Sequence, residues 1–259
     1  MNIIKVIFSC FGLYYEKITP KENILELVKL FKPIKSQLNL IRLGGKSDGG
    51  YLVPDDLKNI KFNFSPGVGN YSDFENDLLG YGIKSYLADY SVNLKKINKN
   101  FSFIKKYIGP FDKKNYLSIN SWIEKGIKND KSDLIMQMDI EGEEYQTLLS
   151  LKEDNLKKIR ILILEFHNLR EIKNIFFYKI VKTVLEKLTK YFYVCHIHPN
   201  NTCGLNMISN IPVPNAIEVT FIRKDRVKKI KFNKNFPHPL DQPCSNSKKE
   251  ILLPKIWFN

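Results

Sequence analysis

The sequence predicts an α/β fold built on a largely parallel sheet, and three observations carry that prediction. Apolar β-rich runs alternate with helical patterns from about residue 60 onward, the order expected when helices join parallel strands. The stretch Leu134-Ile-Met-Gln-Met-Asp-Ile-Glu-Gly-Glu-Glu-Tyr145 is an apolar run halted by clustered carboxylates. It reads as a strand covered on both faces that delivers acids to its carboxyl end, where open α/β sheets bind ligands. A glycine turn, Phe64-Ser-Pro-Gly-Val-Gly-Asn70, follows the first run and leads into a helix, a place where backbone can approach a ligand closely.

Each element follows from local pattern. Glu22 to Phe31 sets Ile24, Leu27, Val28 and Phe31 on one helical face ahead of the sheet. In Asp48-Gly-Gly-Tyr51 flexible backbone meets an acid and an aromatic; a pocket-covering loop and an ordinary turn before a short strand, Tyr51 to Val53, are both consistent with it. Strands are expected at Lys61 to Ser65, Lys84 to Asp89, Phe101 to Ile108, Leu134 to Asp139, Ile161 to His167, Tyr191 to His198 and Ala216 to Arg223. Ser72 to Tyr81 carries Phe74, Leu78 and Leu79 on one face, with Asp73 and Glu75 in the first turn, as the helix dipole prefers. Gly142 lets the chain turn from the fourth strand into a helix over Glu143 to Leu151. Glu143 and Glu144 suit that helix's dipole, and Asp139, before the turn, does not need it. A longer helix spans Phe176 to Lys190. Between the last two strands lies a loop, Pro199 to Asn215, without a clear helix, which allows the final strand to run antiparallel. The proline-punctuated tail, Pro237-His-Pro-Leu-Asp-Gln-Pro-Cys244, should be irregular. The simplest organisation is an N-terminal extension with a helix (1–40), one catalytic domain (41–225) and an irregular tail packed on it (226–259).

Composition bounds the function. With 43% hydrophobic and 26% charged residues, the 259-residue chain has the make-up of a soluble globular protein. No apolar run approaches the roughly 20 residues that cross a bilayer, so no membrane span is expected. The start, Met1 to Leu13, resembles a short signal core, but Lys5 interrupts it and no small-residue cleavage site follows; it reads as a packed or partly mobile segment. Cys10, Cys195, Cys203 and Cys244 form no Cys-x-x-Cys pair, so a reduced, cytoplasmic protein is the default. The net charge of +14 would attract anionic partners. The excess is nearly all lysine, with arginine only at Arg42, Arg160, Arg170, Arg223 and Arg226. Specific nucleic-acid recognition favours arginine forks, so no specific nucleic acid is expected; the charge suits a phosphorylated small substrate and equally reads as a solvated lysine surface.

The candidate site residues sit at strand ends. An acid at the end of the second strand, in Asp89-Tyr90, can accept the ribose hydroxyls of a nucleoside cofactor. Pro66 stiffens the preceding turn and no third glycine follows, which suits a nucleoside without phosphates, such as S-adenosylmethionine, better than a dinucleotide. Glu165 and His167, two apart, share a face at the end of the fifth strand, at the same edge as Asp139. A histidine near its ordinary pKa can take a hydroxyl proton, so His167 is expected as general base beside Asp139. His196 and His198 share a face of the next strand. Substrate contact by Glu141, Glu165, His196 and His198, and a divalent metal held by Asp139, His167, His196 and His198, are the further expectations; strand-end packing is the alternative for the histidine pair.

The order Gly67, Gly69, Asp89, Met138-Asp-Ile-Glu-Gly-Glu-Glu144 and Leu164-Glu-Phe-His167 resembles the FkbM-type S-adenosylmethionine-dependent methyltransferases, over about residues 40 to 225. The Asp-Ile-Glu-Gly-x-Glu motif is the most specific part, and the Ser-Pro start of the glycine turn departs from the commonest pattern. The resemblance implies a Rossmann-like class I methyltransferase fold: a seven-stranded, mostly parallel sheet with its last strand antiparallel and helices on both faces. It implies cofactor contacts from Gly67, Gly69, Asp89, Tyr90, Asp48 and Tyr51, and Asp139 at the reaction centre. The implied activity is O-methylation of a sugar or related small metabolite, as in surface-polysaccharide precursor synthesis. Methylation of RNA or protein, and a catalytically silent nucleoside-binding scaffold, are the alternatives.

Overall fold

The computed structural model describes residues 3–12, 17–70, 72–93 and 98–259. A seven-stranded sheet forms the centre: β1 (Phe62–Pro66), β2 (Lys84–Ala88), β3 (Ser102–Ile104), β4 (Leu134–Met138), β5 (Ile159–Phe166), β6 (Phe192–Pro199) and β7 (Ile217–Arg223). Their spatial order is β6-β7-β5-β4-β1-β2-β3. Strands β1 to β5 pair in parallel, and β7 is antiparallel to both β5 and β6. The expected Rossmann-like class I methyltransferase arrangement is therefore present, including the single reversed strand.

Alternation along the strands supplies two cores, because successive side chains point to opposite faces. On one face Leu134, Met136 and Met138 of β4 join Leu162, Leu164 and Phe166 of β5 beneath helices α2 (Lys21–Leu30), α4 (Ile119–Ile127), α5 (Glu144–Ser150) and α6 (Ile175–Tyr191). On the other, Ile135, Ile161 and Ile163 meet Phe74 and Leu78 of α3 (Asp73–Gly80), and Leu43, Tyr51 and Val53 of a β-ribbon. All eight residues of β5 are buried, which is why its sequence shows no polar alternation.

The ribbon pairs Leu40–Leu43 with Tyr51–Pro54. Its loop folds tightly on itself: a Cβ at Gly50 would lie 2.0 Å from the Gly45 carbonyl oxygen, and Arg42 donates to the Gly45 and Ser47 carbonyls. The C-terminal tail returns to the main core. There Trp257 packs on Phe31, the residue that caps α2, with ring centroids 5.3 Å apart and donates its indole N–H to the Pro212 carbonyl.

Three details differ from the sequence expectation. The run Phe101 to Ile108 is not one strand: β3 ends at Ile104, and Tyr107–Gly109 pairs instead with Tyr116–Ser118. The adjacent lysines 105 and 106 interrupt the apolar run where the Ile104 carbonyl accepts from both Asp89 N and Lys106 N. The loop between β6 and β7 contains a second ribbon, Leu205–Ile208 with Ile211–Pro214, turned by Ser209 and Asn210 at φ 49° and 63°. Two successive left-handed residues make the turn type normally written Asn-Gly, so Ser-Asn concealed it. Residues 3–10 form helix α1 (Ile3–Cys10), and no residue of that helix is buried, which goes against the packed alternative of the packed or partly mobile segment expected there; Met1, Asn2 and Leu13 of that segment lie outside the described residues. No helix among the described residues is long and apolar enough to cross a membrane.

Candidate active site

A cavity of about 490 Å³ opens at the carboxyl ends of β1, β2 and β4, within the size range of small-molecule sites. Gly67, Gly69, Asp89, Asp139, Glu141, Asp48 and Tyr51 all line it. Close backbone packing builds its floor. Gly67 has φ +80°, and a Cβ there would lie 1.5 Å from the Asp139 carbonyl oxygen; the Asp139 amide in turn donates to the Pro66 carbonyl. The turns after β1 and β4 thus touch main chain to main chain, a fit open only to glycine. Proline is tolerated next to it because position 66 ends the strand and only its carbonyl is used.

Asp89 stands where β2 ends. One carboxylate oxygen accepts from the Gly69 amide at 3.0 Å, the other from the Ser91 amide at 2.8 Å and hydroxyl at 2.7 Å. A carboxylate has about four acceptor positions, so capacity remains for ligand hydroxyls on the cavity side. Tyr90 does not line the cavity. Its ring packs 4.8 Å from Tyr107, which does.

The loop between β4 and α5 is organised by Glu144, which is fully buried. Its Oε1 accepts from the amides of Ile140 and Gly142, at 3.0 and 3.2 Å, and lies 3.1 Å from His167 Nδ1. Glu141 within that loop and Asn168 just after His167 both have φ 57°, left-handed backbone that is uncommon for residues with side chains. The expectation that Glu144 answers the helix dipole misses its main work, which is to close this loop and orient the histidine.

His167 faces carboxylates on every side. Its Nε2 lies 3.5 Å from Glu141, 3.6 Å from Glu165 and 3.7 Å from Asp139, distances of ion pairing rather than of direct hydrogen bonds. Burial works to lower its pKa, but the Glu144 hydrogen bond and the charges of Glu165, Glu144 and Asp139 outweigh burial and hold it up to about 10. Burial raises Asp139 to about 7; His167 opposes this, while Glu141, Glu144 and Asp48 add to it. Burial likewise pushes Glu165 well above the usual carboxylate range, with Asp139 and Glu218 adding. Glu165 accepts from the Asn200 side-chain amide at 2.7 Å, and neither Glu165 nor His167 lines the cavity.

The metal set expected from sequence does not assemble. Asp139, Glu144 and His167 present donor atoms all within 4.8 Å of one another, so these three residues fit a divalent ion. His196 and His198 do not join them, because β7 is inserted between β5 and β6 and separates the strand ends. Nor does either histidine line the large cavity, which removes the geometric basis for substrate contact by the pair. His196 meets Asp241 and His198 meets Glu218 and Glu250 instead. Cavity residues that sequence reasoning passed over include Glu75, Ser91, Lys106 and Gln137. Gln137 was the single polar residue in an apolar strand and so carried a readable signal; it donates to the Tyr51 hydroxyl at 3.0 Å. Burial raises Glu75 to about 7.

No family model matches the chain, and no curated protein does. Among solved structures, one similar chain is a Pyrococcus horikoshii protein described as a candidate RNA methyltransferase, at 13% identity and a TM-score of 0.34, covering 65% of this chain and 76% of that one. Another is the spermidine synthase of Thermotoga maritima, at 11% identity and a TM-score of 0.35, covering 82% and 80%. The class of fold rests on the strand order itself.

Proposed function

We propose that the protein is an FkbM-type, S-adenosylmethionine-dependent O-methyltransferase acting on a hydroxyl of a sugar or related small metabolite, with phosphorylated or nucleotide-linked acceptors included. One observation carries the reading: a single cavity gathers the Gly67–Gly69 turn, the Asp89 carboxylate and Asp139 at the ends of three adjacent parallel strands. The donor set fits a nucleoside. Asp89 accepts the ribose hydroxyls, and the glycine turn brings bare backbone against the ligand, with open space where a Gly69 side chain would stand. Asp48 and Tyr51 close the cavity from the ribbon side.

When bound, the cofactor supplies a methyl group on a positively charged sulfur. The chain's own residues must hold the acceptor oxygen in line with that methyl carbon and remove the oxygen's proton. His167 is the base that sequence suggests, yet a histidine held protonated up to about 10 has no lone pair to offer at neutral pH. Asp139 borders the cavity and titrates near 7, which suits a general base working near neutrality. In this reading Asp139 takes the acceptor proton on its carboxylate. His167 is a positioning residue whose positive charge favours the ionised form of that carboxylate, and Glu144 holds the imidazole in place.

Mass spectrometry of the purified protein tests the reading, with S-adenosylmethionine or its demethylated product expected to co-purify, together with calorimetry against S-adenosylhomocysteine. Asp89→Ala should weaken that binding by roughly 10- to 100-fold, the loss of about 1.5–3 kcal/mol expected for hydrogen bonds to a charged group. Wild-type affinity in a folded Asp89→Ala protein would remove Asp89 from the cofactor site. Methyl transfer to a panel of hydroxylated acceptors then identifies the substrate.

A further inference from the structure

A second cluster lies on the neighbouring strands, where the C-terminal tail crosses the ends of β6 and β7. His198 on β6 and Glu218 on β7 are register partners, and Cys244 arrives from the tail. All three are buried and offer donor atoms within 4.8 Å of one another. His198 Nδ1 lies 3.4 Å from one Glu218 oxygen, and Cys244 Sγ lies 3.5 Å from the other. A charge-assisted N–H···O bond would be shorter, at about 2.7–2.9 Å. Each pair is spaced as two ligands of one zinc ion are, about 3.3 Å for nitrogen to oxygen and about 3.5 Å for sulfur to oxygen at ordinary zinc bond lengths, with the two contacts falling on the two oxygens of one carboxylate. The other imidazole nitrogen, Nε2, lies 3.0 Å from Glu250. Donation from Nε2 to Glu250 leaves Nδ1 as the nitrogen that can turn to a metal once its proton has left, the arrangement that orients histidine ligands in metal sites.

Two further observations point to a ligand. A cavity of about 10 Å³ adjoins the cluster, lined by His198, Glu218, His196, Asp241 and Arg42 among others, room for about one water-sized donor. His196, only 3% exposed, borders it. Asp241 Oδ1 pairs with its Nε2 at 2.9 Å, which leaves Nδ1 as the nitrogen with no partner. A buried nitrogen of that kind calls for an explanation.

We propose that His198, Glu218 and Cys244 form a zinc-class divalent metal site, with the fourth position in the adjoining cavity, that fastens the tail to β6 and β7. The ion binds the Cys244 thiolate, a Glu218 oxygen and His198 Nδ1, and the protons of the thiol and of Nδ1 leave to solvent. The tail is shaped for the purpose: Asn201 donates to the Ser245 and Lys248 carbonyls and accepts from the Ser245 amide, setting Cys244 over the strands. The Cys244 carbonyl in turn accepts from the Asp48 amide, so the same residue braces the loop beside the large cavity. This site does not depend on the methyltransferase reading.

Zinc titration of the full-length, chelator-stripped protein, in competition with a chromophoric chelator, is the test, run beside cobalt substitution. We expect a thiolate-to-cobalt charge-transfer band in the unmodified protein. The band should survive in a Cys10→Ser/Cys203→Ser protein and vanish in Cys244→Ser. One zinc equivalent should be lost, with affinity down at least about 100-fold, in Cys244→Ser and Glu218→Gln, and kept in Asp139→Asn, which alters the other cluster. Absence of the band from the unmodified protein, or unchanged zinc affinity in Cys244→Ser, overturns the proposal. If the substituted proteins fail to fold, protection of Cys244 from alkylation by added zinc in the unmodified chain decides the matter, and no protection counts against the site.

Discussion

Asp139 and His167 differ in what each can do with a proton, and their pairing makes a specific pH signature. Asp139→Asn should lower kcat by roughly 10²- to 10⁴-fold with S-adenosylhomocysteine binding nearly intact. His167→Gln should act differently. The imidazolium lowers the Asp139 pKa, so its removal raises that pKa further above about 7, and the acid limb of the kcat/KM profile should move to higher pH. Activity near neutrality should fall and recover as pH rises; an unmoved limb would detach His167 from the base. Gly67→Ala forces a Cβ into the Asp139 carbonyl and should abolish cofactor binding or folding, read by calorimetry and circular dichroism. Asp139, Glu165 and His167 were legible because each ends an apolar run. Glu218 was not, since only the non-local pairing of Glu165 with Glu218 across β5 and β7 brings it near, and one sequence carries no sign of that register. Glu144 was visible, but a helix-start glutamate has an ordinary explanation that hid its contacts with the loop amides.

Among the elements, the sheet strands other than β3 could be read because each is a largely apolar run of about the expected length, while the pieces set by turn chemistry could not. Helix α4 begins at Ser118, whose hydroxyl accepts from the Ser121 amide, a short signal lost among neighbouring polar residues. The tail could be expected to be irregular, but not that Trp257 would fill the core against Phe31 at the end of α2, since the two residues stand near opposite ends of the sequence. That contact makes the tail part of the cooperative unit. Trp257→Ala should cost about 3–5 kcal/mol and lower Tm by roughly 2–4 °C for each kcal/mol, measured by calorimetry. A change of under about 1 kcal/mol would show the tail to be dispensable.

For the whole molecule the +14 charge invites an anionic partner, but the arginines are engaged elsewhere. Arg160 and Arg223 pair with Asp133, Arg226 with Asp56, Arg170 with Glu171, and Arg42 with loop carbonyls. Only lysine is left for long-range attraction. If it steers an anionic acceptor, turnover at low acceptor concentration should fall as salt rises, since screening shortens electrostatic reach to about 8 Å at physiological ionic strength. A salt-independent rate would indicate a neutral acceptor, and steeply salt-dependent RNA binding would favour a nucleic-acid acceptor. The reversed strand β7 matters on another timescale. During synthesis β5 is made well before the strand that must cover its flank, and at about 5–20 residues per second the wait lasts roughly 3–10 s. Through that interval a strand of eight residues, six of them apolar, presents a bare edge, an invitation to pair with another chain. A nascent chain halted before Ile217 should therefore aggregate or recruit chaperones, and one released after Arg223 should do so far less, which makes the birth of this protein more hazardous than its finished sheet suggests.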